Sequence, residues 1–169
     1  MTKCVILAAG MGSRLGPYTN NLPKTLVPFL GKPIVNYQLA VLKKCGITDI
    51  SLVTGYRAEK LSHIKLKSFK NVRYKSTNMV YSLLCARSFF EKADEDLLIS
   101  YGDIIYEKEI LYKLLQSDRD FTITTDDNWE ILWRARMNDP ISDAEVLKFD
   151  YNNDIKEIGR KPVNLKEVE

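Results

Sequence analysis

The residues best suited to chemistry gather near the start of the chain. Leu7-Ala8-Ala9-Gly10-Met11-Gly12-Ser13-Arg14-Leu15 is followed by Pro23-Lys24, and Gly102-Asp103 stands far downstream. Glycines let backbone N–H groups approach phosphate oxygens with no Cβ in the way. Arg14 brings a planar fork of donors and Lys24 a mobile point charge. Such a set suits a polyphosphate. Two familiar phosphate loops do not fit it. A P-loop needs a lysine directly after its closing glycine, whereas Gly16 is followed by Pro17. A dinucleotide fingerprint needs a third glycine where Leu15 stands, and an acidic residue closing the second strand, where none is found.

The composition narrows the class of protein. With 169 residues, 45% hydrophobic and 28% charged, the chain has the make-up of a core-bearing domain. A net charge of +3 suits anionic small molecules and is too small to argue for nucleic acid. Lys60, Lys65, Lys67 and Lys70 read as a solvated face. No apolar run approaches the roughly 18 to 20 residues of a membrane span, and no signal-peptide cleavage site is visible. No membrane partner is expected, and the expected location is cytoplasmic. Cys4, Cys45 and Cys85 are far apart in apolar patterns and read as reduced core thiols. The single histidine, His63, sits among lysines, which argues against a Ser-His-Asp triad.

The elements that must position these groups alternate. Lys3 to Leu7 reads as a buried strand, Pro33 to Lys44 as a helix and Asp49 to Thr54 as a strand. A short strand is expected at Val72 to Tyr74. A long helix is expected from Asn78 to Lys92 with Asn78 as its cap, then a strand at Leu97 to Ser100, a helix at Glu107 to Leu115 and a strand at Asp120 to Thr125. Val146 to Asp150 and Asp154 to Gly159 read as a β-pair around Asn152-Asn153. The alternation predicts a doubly wound, mainly parallel (Rossmann-like) α/β sheet with helices on both faces, mixed toward the C-terminus. Ligands of such sheets bind beyond the carboxyl ends of the strands, where Gly10, Gly55 and Gly102 would converge.

The glycine loop with Pro23-Lys24, the Gly31-Lys32-Pro33-Ile34 turn, Thr54-Gly55-Tyr56 and Tyr101-Gly102-Asp103 together resemble the sugar-phosphate nucleotidyltransferase (pyrophosphorylase) family, over roughly residues 3 to 105. Asn78-Met79-Val80-Tyr81-Ser82-Leu83 and the stretch from Trp133 to Glu145 resemble its phosphocholine-type cytidylyltransferase branch, including the members that activate glutamine phosphate for capsule assembly. The resemblance implies condensation of CTP with a small phosphorylated amine or amino acid, with release of pyrophosphate and with Mg²⁺ as cofactor.

By that resemblance Arg14 and Lys24 are catalytic and Asp103 binds the metal. Leu7, Ala8, Ala9, Gly10, Gly12 and Ser13 would meet the nucleotide, as would Gly55, Tyr56, Ser76, Thr77, Asn78 and Gly102. Tyr81, Ser82, Trp129, Trp133, Asp143 and Glu145 are candidates for the acceptor. Plainer readings stay open: Asn78 as an N-cap, Tyr81 and Ser82 as packing, the tryptophans as core or interface anchors, Asp143 and Glu145 as turn carboxylates. A sugar-1-phosphate uridylyl- or guanylyltransferase and a non-catalytic nucleotide-binding module are the rival functions. A glycosyltransferase of similar sheet plan would want a D-x-D motif, and Gly102-Asp103-Ile104-Ile105 fits that poorly. The family's second metal-binding aspartate finds no match in residues 126 to 169. The expectation is therefore one nucleotidyltransferase domain over 1–169, cut short at its C-terminus and weak in turnover. A homo-oligomer is left open.

Overall fold

A computed structural model describes residues 2–91 and 94–168. It divides into two compact units, Met1–Asp120 and Phe121–Glu169.

The first unit is built on strand β1 (Thr2–Ala8). Next come the two-residue strands β2 (Pro28–Phe29) and β3 (Lys32–Pro33), which pair as a hairpin, then helix α1 (Ile34–Lys44). Strands β4 (Ile50–Thr54) and β5 (Lys67–Lys70) precede helices α2 (Met79–Cys85) and α3 (Arg87–Phe90). Strand β6 (Asp96–Tyr101) and helix α4 (Lys108–Leu115) complete it. The main sheet has the order β5-β4-β1-β6, and every neighbouring pair in it is parallel. From β1 the chain first builds outward through β4 to β5, then returns to place β6 on the other side of β1. That reversal opens a crevice at the carboxyl ends of β1 and β6.

Both faces of β1 are buried, which explains its unbroken apolar run. Cys4, Ile6 and Ala8 pack with Ile50 and Leu52 under Leu42 of α1 and Leu111 of α4. Val5 and Ala9 pack with Val53, Ala86 and Phe89 on the opposite face. The expected doubly wound α/β plan, with helices on both faces, is what forms. The main sheet is parallel throughout, and the antiparallel pairing toward the C-terminus sits in a hairpin of its own.

Three expectations about elements need correction. The third strand lies at Lys67–Lys70, not Val72 to Tyr74. Its one inward apolar residue, Phe69, is enough at a sheet edge, and Asn71 then turns the chain. The long helix breaks at Ala86, where i→i−3 bonds (Ala86 N to Leu83 O, Phe89 N to Ala86 O) tighten the turn. The break swings Phe89 against Phe69, with ring centroids 6.2 Å apart. Lys92, the expected end of that helix, lies outside the described residues. Residues 120–125 form no strand, and Phe121 is exposed.

The second unit carries helix α5 (Trp129–Arg136) and a hairpin of β7 (Leu147–Phe149) with β8 (Ile155–Ile158). Asn153 turns that hairpin at φ +60°, as the Asn152-Asn153 pair predicts. Ala144 and Val146, just before β7, are buried. Arg160 binds Glu157 (2.6 Å) and Glu167 (3.0 Å) on its surface. With a backbone N–H from Val163, the arginine holds the Glu167 carboxyl down at about 2.

Candidate active site

At the exit of β1 the first unit has a cleft of about 320 Å³. Gly12 leads from the strand into a 3-10 stretch, Ser13–Thr19, that carries Arg14. Its φ of +65° suits glycine, and a Cβ there would sit 3.0 Å from Cβ of Lys24. The same glycine thus shapes the loop and lets Lys24 pack against it. Buried Thr19 fastens the loop, its one hydroxyl proton shared between Gly12 O (3.0 Å) and Gly16 O (3.2 Å). Lys24 then meets Asp103 across the cleft in a direct ion pair. Both side chains remain about a third exposed, so the pair faces solvent and any ligand there.

Asp103 owes its place to two contacts below it. Gly102 donates its N–H to Leu7 O (2.9 Å), drawing the end of β6 onto β1. A Cβ on Gly102 would lie 2.8 Å from that same oxygen, so no other residue permits the approach. Gln38 of α1, only 1% exposed, donates to Tyr101 O and Ile104 O, each at 2.6 Å, and straps the loop on both sides of Asp103.

The opposite wall is the turn from β5 into α2. Asn71 bonds Thr77 Oγ1 (3.0 Å) and Ser82 Oγ (2.9 Å). Asn78 caps α2 by accepting the N–H of Tyr81 at 3.1 Å. Tyr101 donates its hydroxyl to Met79 Sδ (2.7 Å) and joins the two walls at the rim.

The expected residues Leu7, Ala8, Ala9, Gly10, Gly12 and Ser13 line this cleft, as do Arg14, Lys24, Gly102 and Asp103. Thr77, Asn78 and Ser82 line it too. Gly55 and Tyr56 instead line a neighbouring hollow of about 390 Å³. Tyr56 donates its hydroxyl to Asn20 O (2.6 Å) and its N–H to Ala9 O (3.0 Å), so it props the Gly10–Arg14 loop from outside. Ser76 does not line the cleft and donates to Arg73 O. Tyr81 turns its ring to the Arg73 guanidinium, 5.5 Å away. Trp129, Trp133, Asp143 and Glu145 belong to the second unit. There the two indoles meet edge-on at 6.3 Å, Arg136 lies 4.9 Å over Trp133, and the carboxylates are exposed.

Thr25, Tyr74, Met79 and Tyr101 also line the cleft and are not among the expected site residues, although Met79 and Tyr101 stand within the Asn78–Leu83 and Tyr101–Asp103 motifs. Neither are Gln38 and Asn71, which act from behind it. For Gln38 a signal exists: with Val35 and Leu42 it falls at i, i+3, i+7, which places an amide on the buried face of α1. The core thiol Cys4 is inert, since burial pushes it up to about 12. His63 is exposed, as its lysine-rich surroundings suggest.

A charged loop at a strand end, a lysine and an aspartate meeting in a cleft at a sheet switch point: these are the parts of a nucleotide-handling site. The model of the MobA-like NTP transferase domain matches residues 4–148. The chain belongs to this family. It is 39% identical to a CTP:phosphoglutamine cytidylyltransferase of Campylobacter jejuni, over 98% of this chain and 68% of that protein. It is 35% identical to a bifunctional sugar-1-phosphate nucleotidylyltransferase/acetyltransferase of Sulfurisphaera tokodaii, over 95% of this chain and 37% of that one. The solved CTP:phosphocholine cytidylyltransferase of Streptococcus pneumoniae superposes with a TM-score of 0.57 at 33% identity. That superposition covers 64% of this chain and 50% of the solved one. The chain thus carries a nucleotidyltransferase domain and spans between about a third and two thirds of the length of these relatives.

Proposed function

We propose that this chain joins CTP to a small phosphorylated amine or amino acid, of the glutamine phosphate or phosphocholine kind, and releases pyrophosphate. The carrying observation is that Lys24 and Asp103, 79 residues apart, meet beside the Gly10–Arg14 loop in the one cleft. The choice of CTP and of a phosphorylated amine is supported by the names of the Campylobacter and Streptococcus relatives.

In this reaction an acceptor phosphate oxygen bonds to the α-phosphorus while the bond from that phosphorus to the bridging oxygen breaks, and pyrophosphate leaves with the electron pair. The protein's share is positioning and charge. Lys24 sits where the α-phosphate and the incoming phosphate meet. Arg14, on the loop, faces the β- and γ-phosphates and the leaving pyrophosphate. Backbone N–H groups after Ala9 cradle the chain of phosphates.

For the metal, Asp103 offers one carboxylate, and the described residues hold no cluster of three or more His, Cys, Asp or Glu. That fits a Mg²⁺ carried in on the triphosphate, which needs only one or two carboxylates beside phosphate oxygens and water. Such an ion would neutralise charge at the reacting phosphate. Asp103, now paired with Lys24, is the residue that would hold such an ion.

An ammonium-bearing acceptor needs a carboxylate or an aromatic face. Trp129, Trp133, Asp143 and Glu145 supply both types, and Trp133 already attracts a guanidinium. No helix among the described residues is long and apolar enough to cross a membrane. The use of CTP would place the reaction in the cytoplasm, and the Asn78–Leu83 resemblance supports a role in supplying capsule assembly.

The test is a panel of nucleoside triphosphates against glutamine phosphate, phosphocholine, aminoethylphosphonate and hexose-1-phosphates, read by pyrophosphate release. CTP with one of the amine acceptors should give the highest rate. A higher rate for UTP or GTP with a hexose-1-phosphate would replace this reading with sugar activation.

A further inference from the structure

Asn71 is completely buried, and its backbone N–H extends the β4–β5 ladder by donating to Thr54 O at 2.8 Å. Its Oδ1 accepts the N–H of Arg73 at 2.9 Å. A backbone N–H can only donate, so this bond settles which end of the amide is oxygen. The NH₂ group therefore faces Thr77 Oγ1 (3.0 Å) and Ser82 Oγ (2.9 Å). An NH₂ group can only donate as well, so both hydroxyl oxygens must accept.

A hydroxyl has one proton and two lone pairs. Thr77 gives its proton to Arg73 O (2.9 Å) and Ser82 gives its proton to Asn78 O (3.2 Å). With the proton and one lone pair committed, each hydroxyl keeps one lone pair. Both residues line the cleft. Neither can turn a proton toward a ligand without abandoning a carbonyl oxygen.

Building on the cytidylyl-transfer reading above, we propose that Thr77 and Ser82, their protons held by Arg73 O and Asn78 O and their oxygens pinned by Asn71, set base selectivity as hydrogen-bond acceptors on the cleft wall. The 4-amino group of cytosine is a donor and the 4-oxo group of uracil an acceptor. Two locked acceptors welcome the first and repel the second. Sites built to pair a polar group reject the mismatched analogue far more strongly than apolar pockets discriminate shape.

The experiment measures CTP and UTP binding by titration calorimetry on the 169-residue chain and on Thr77→Val, Ser82→Ala and Asn71→Ala, with thermal melting as the check on folding. The unaltered chain should bind CTP at least about 10-fold more tightly than UTP. Thr77→Val or Ser82→Ala should lower CTP affinity by about 10-fold, the scale of one lost hydrogen bond, with UTP affinity unchanged. Asn71→Ala removes the donor that pins both oxygens and leaves their protons on Arg73 O and Asn78 O, so the ratio should fall, through weaker CTP binding with UTP little changed. A merely structural role would weaken both nucleotides equally and leave the ratio where it was. Should Asn71→Ala fail to fold, the two hydroxyl variants decide. An unchanged CTP-to-UTP ratio in both of them, or equal binding by the unaltered chain, overturns the proposal while cytidylyl transfer stands. Failure of the unaltered chain to bind CTP overturns the functional reading and the selectivity with it.

Discussion

The two walls of the cleft are built on opposite plans. The phosphate wall, from Gly10 through Lys24 to Asp103, is exposed and charged, and its lysine and aspartate pair with each other. The Asn71 wall is neutral, with Asn71 and Ser82 buried, and both N–H donors and the oxygen of the Asn71 amide are engaged. On the proposed reading the difference follows from what each wall would do, one meeting phosphates and the other the base. Phosphates bring charge and a metal ion, so their wall needs groups that can exchange one another for the ligand. A base brings a fixed donor and acceptor pattern, so its wall must not rearrange. One side of the site is held ready by charge, the other by geometry.

The sharpest way to break this contrast is to remove the charges. Lys24→Ala and Asp103→Ala should each lower turnover by about 100- to 1000-fold, the usual cost of losing one preorganised group at a reacting phosphate. Both side chains are about a third exposed, so melting temperatures should shift little. Asp103→Ala should also raise the Mg²⁺ concentration needed for half-maximal rate, whereas Lys24→Ala should not. Pyrophosphate release across a Mg²⁺ series measures both. Near-normal turnover of either variant would show that the exposed wall is not where transfer occurs.

Gly12→Ala attacks the same wall through its backbone. The left-handed φ costs an alanine about 1–2 kcal/mol, and its Cβ would crowd Lys24. A fall in melting temperature of several degrees should accompany about a 10-fold loss of turnover. A stable variant with a normal rate would mean that the loop does not set the position of Lys24.

The phosphate wall was legible in the sequence and the Asn71 wall was not. Gly10, Gly12, Arg14, Lys24 and Asp103 are spaced motifs, because backbone amides and charges must stand at fixed places along the chain. All five line the cleft. The sheet was legible for a similar reason: the short apolar runs of β1, β4 and β6 leave few alternatives to buried parallel strands. Asn71 has no such mark, since its work depends on a turn that brings residues 73, 77 and 82 back to it. The same limit produced the misplaced third strand, because Val72 to Tyr74 is apolar enough for a strand but sits in the turn that Asn71 organises. Gly55 and Tyr56 were expected at the nucleotide. They line the next hollow, and Tyr56 reaches the cleft's loop only by propping it from outside. A strand-end glycine marks a close approach of two backbones, and the pattern alone does not say which side of that approach the ligand takes.

Gln38 tests whether Asp103 is placed by its own loop or by the helix behind it. Gln38→Leu keeps the volume and removes both bonds to the loop, leaving Tyr101 O and Ile104 O without that donor. The loss should destabilise the chain by about 2 kcal/mol and lower turnover by roughly 10-fold, with the Mg²⁺ requirement raised and the CTP-to-UTP ratio unchanged. A change in that ratio would mean that the two walls are mechanically coupled, and the division between them would fail.

The smallest effect on the fold should come from Gly10→Ala, and that is its value. A Cβ at Gly10 meets nothing within 4 Å, and its φ lies outside the left-handed region. The unliganded protein therefore has no reason to prefer glycine there, and the melting temperature should hold within about a degree. The bound state does have a reason: if the N–H groups after Ala9 cradle phosphate, a methyl group at Gly10 stands between them and the ligand. The KM for CTP should rise about 10-fold with kcat reduced less, and the affinity for pyrophosphate should fall by a similar factor. Because Gly12→Ala strains the loop itself while Gly10→Ala only fills the space a ligand would take, the pair separates the shape of the exposed wall from its use. An unaltered KM in Gly10→Ala would move the phosphates off the loop and leave Arg14 and Lys24 to hold them alone.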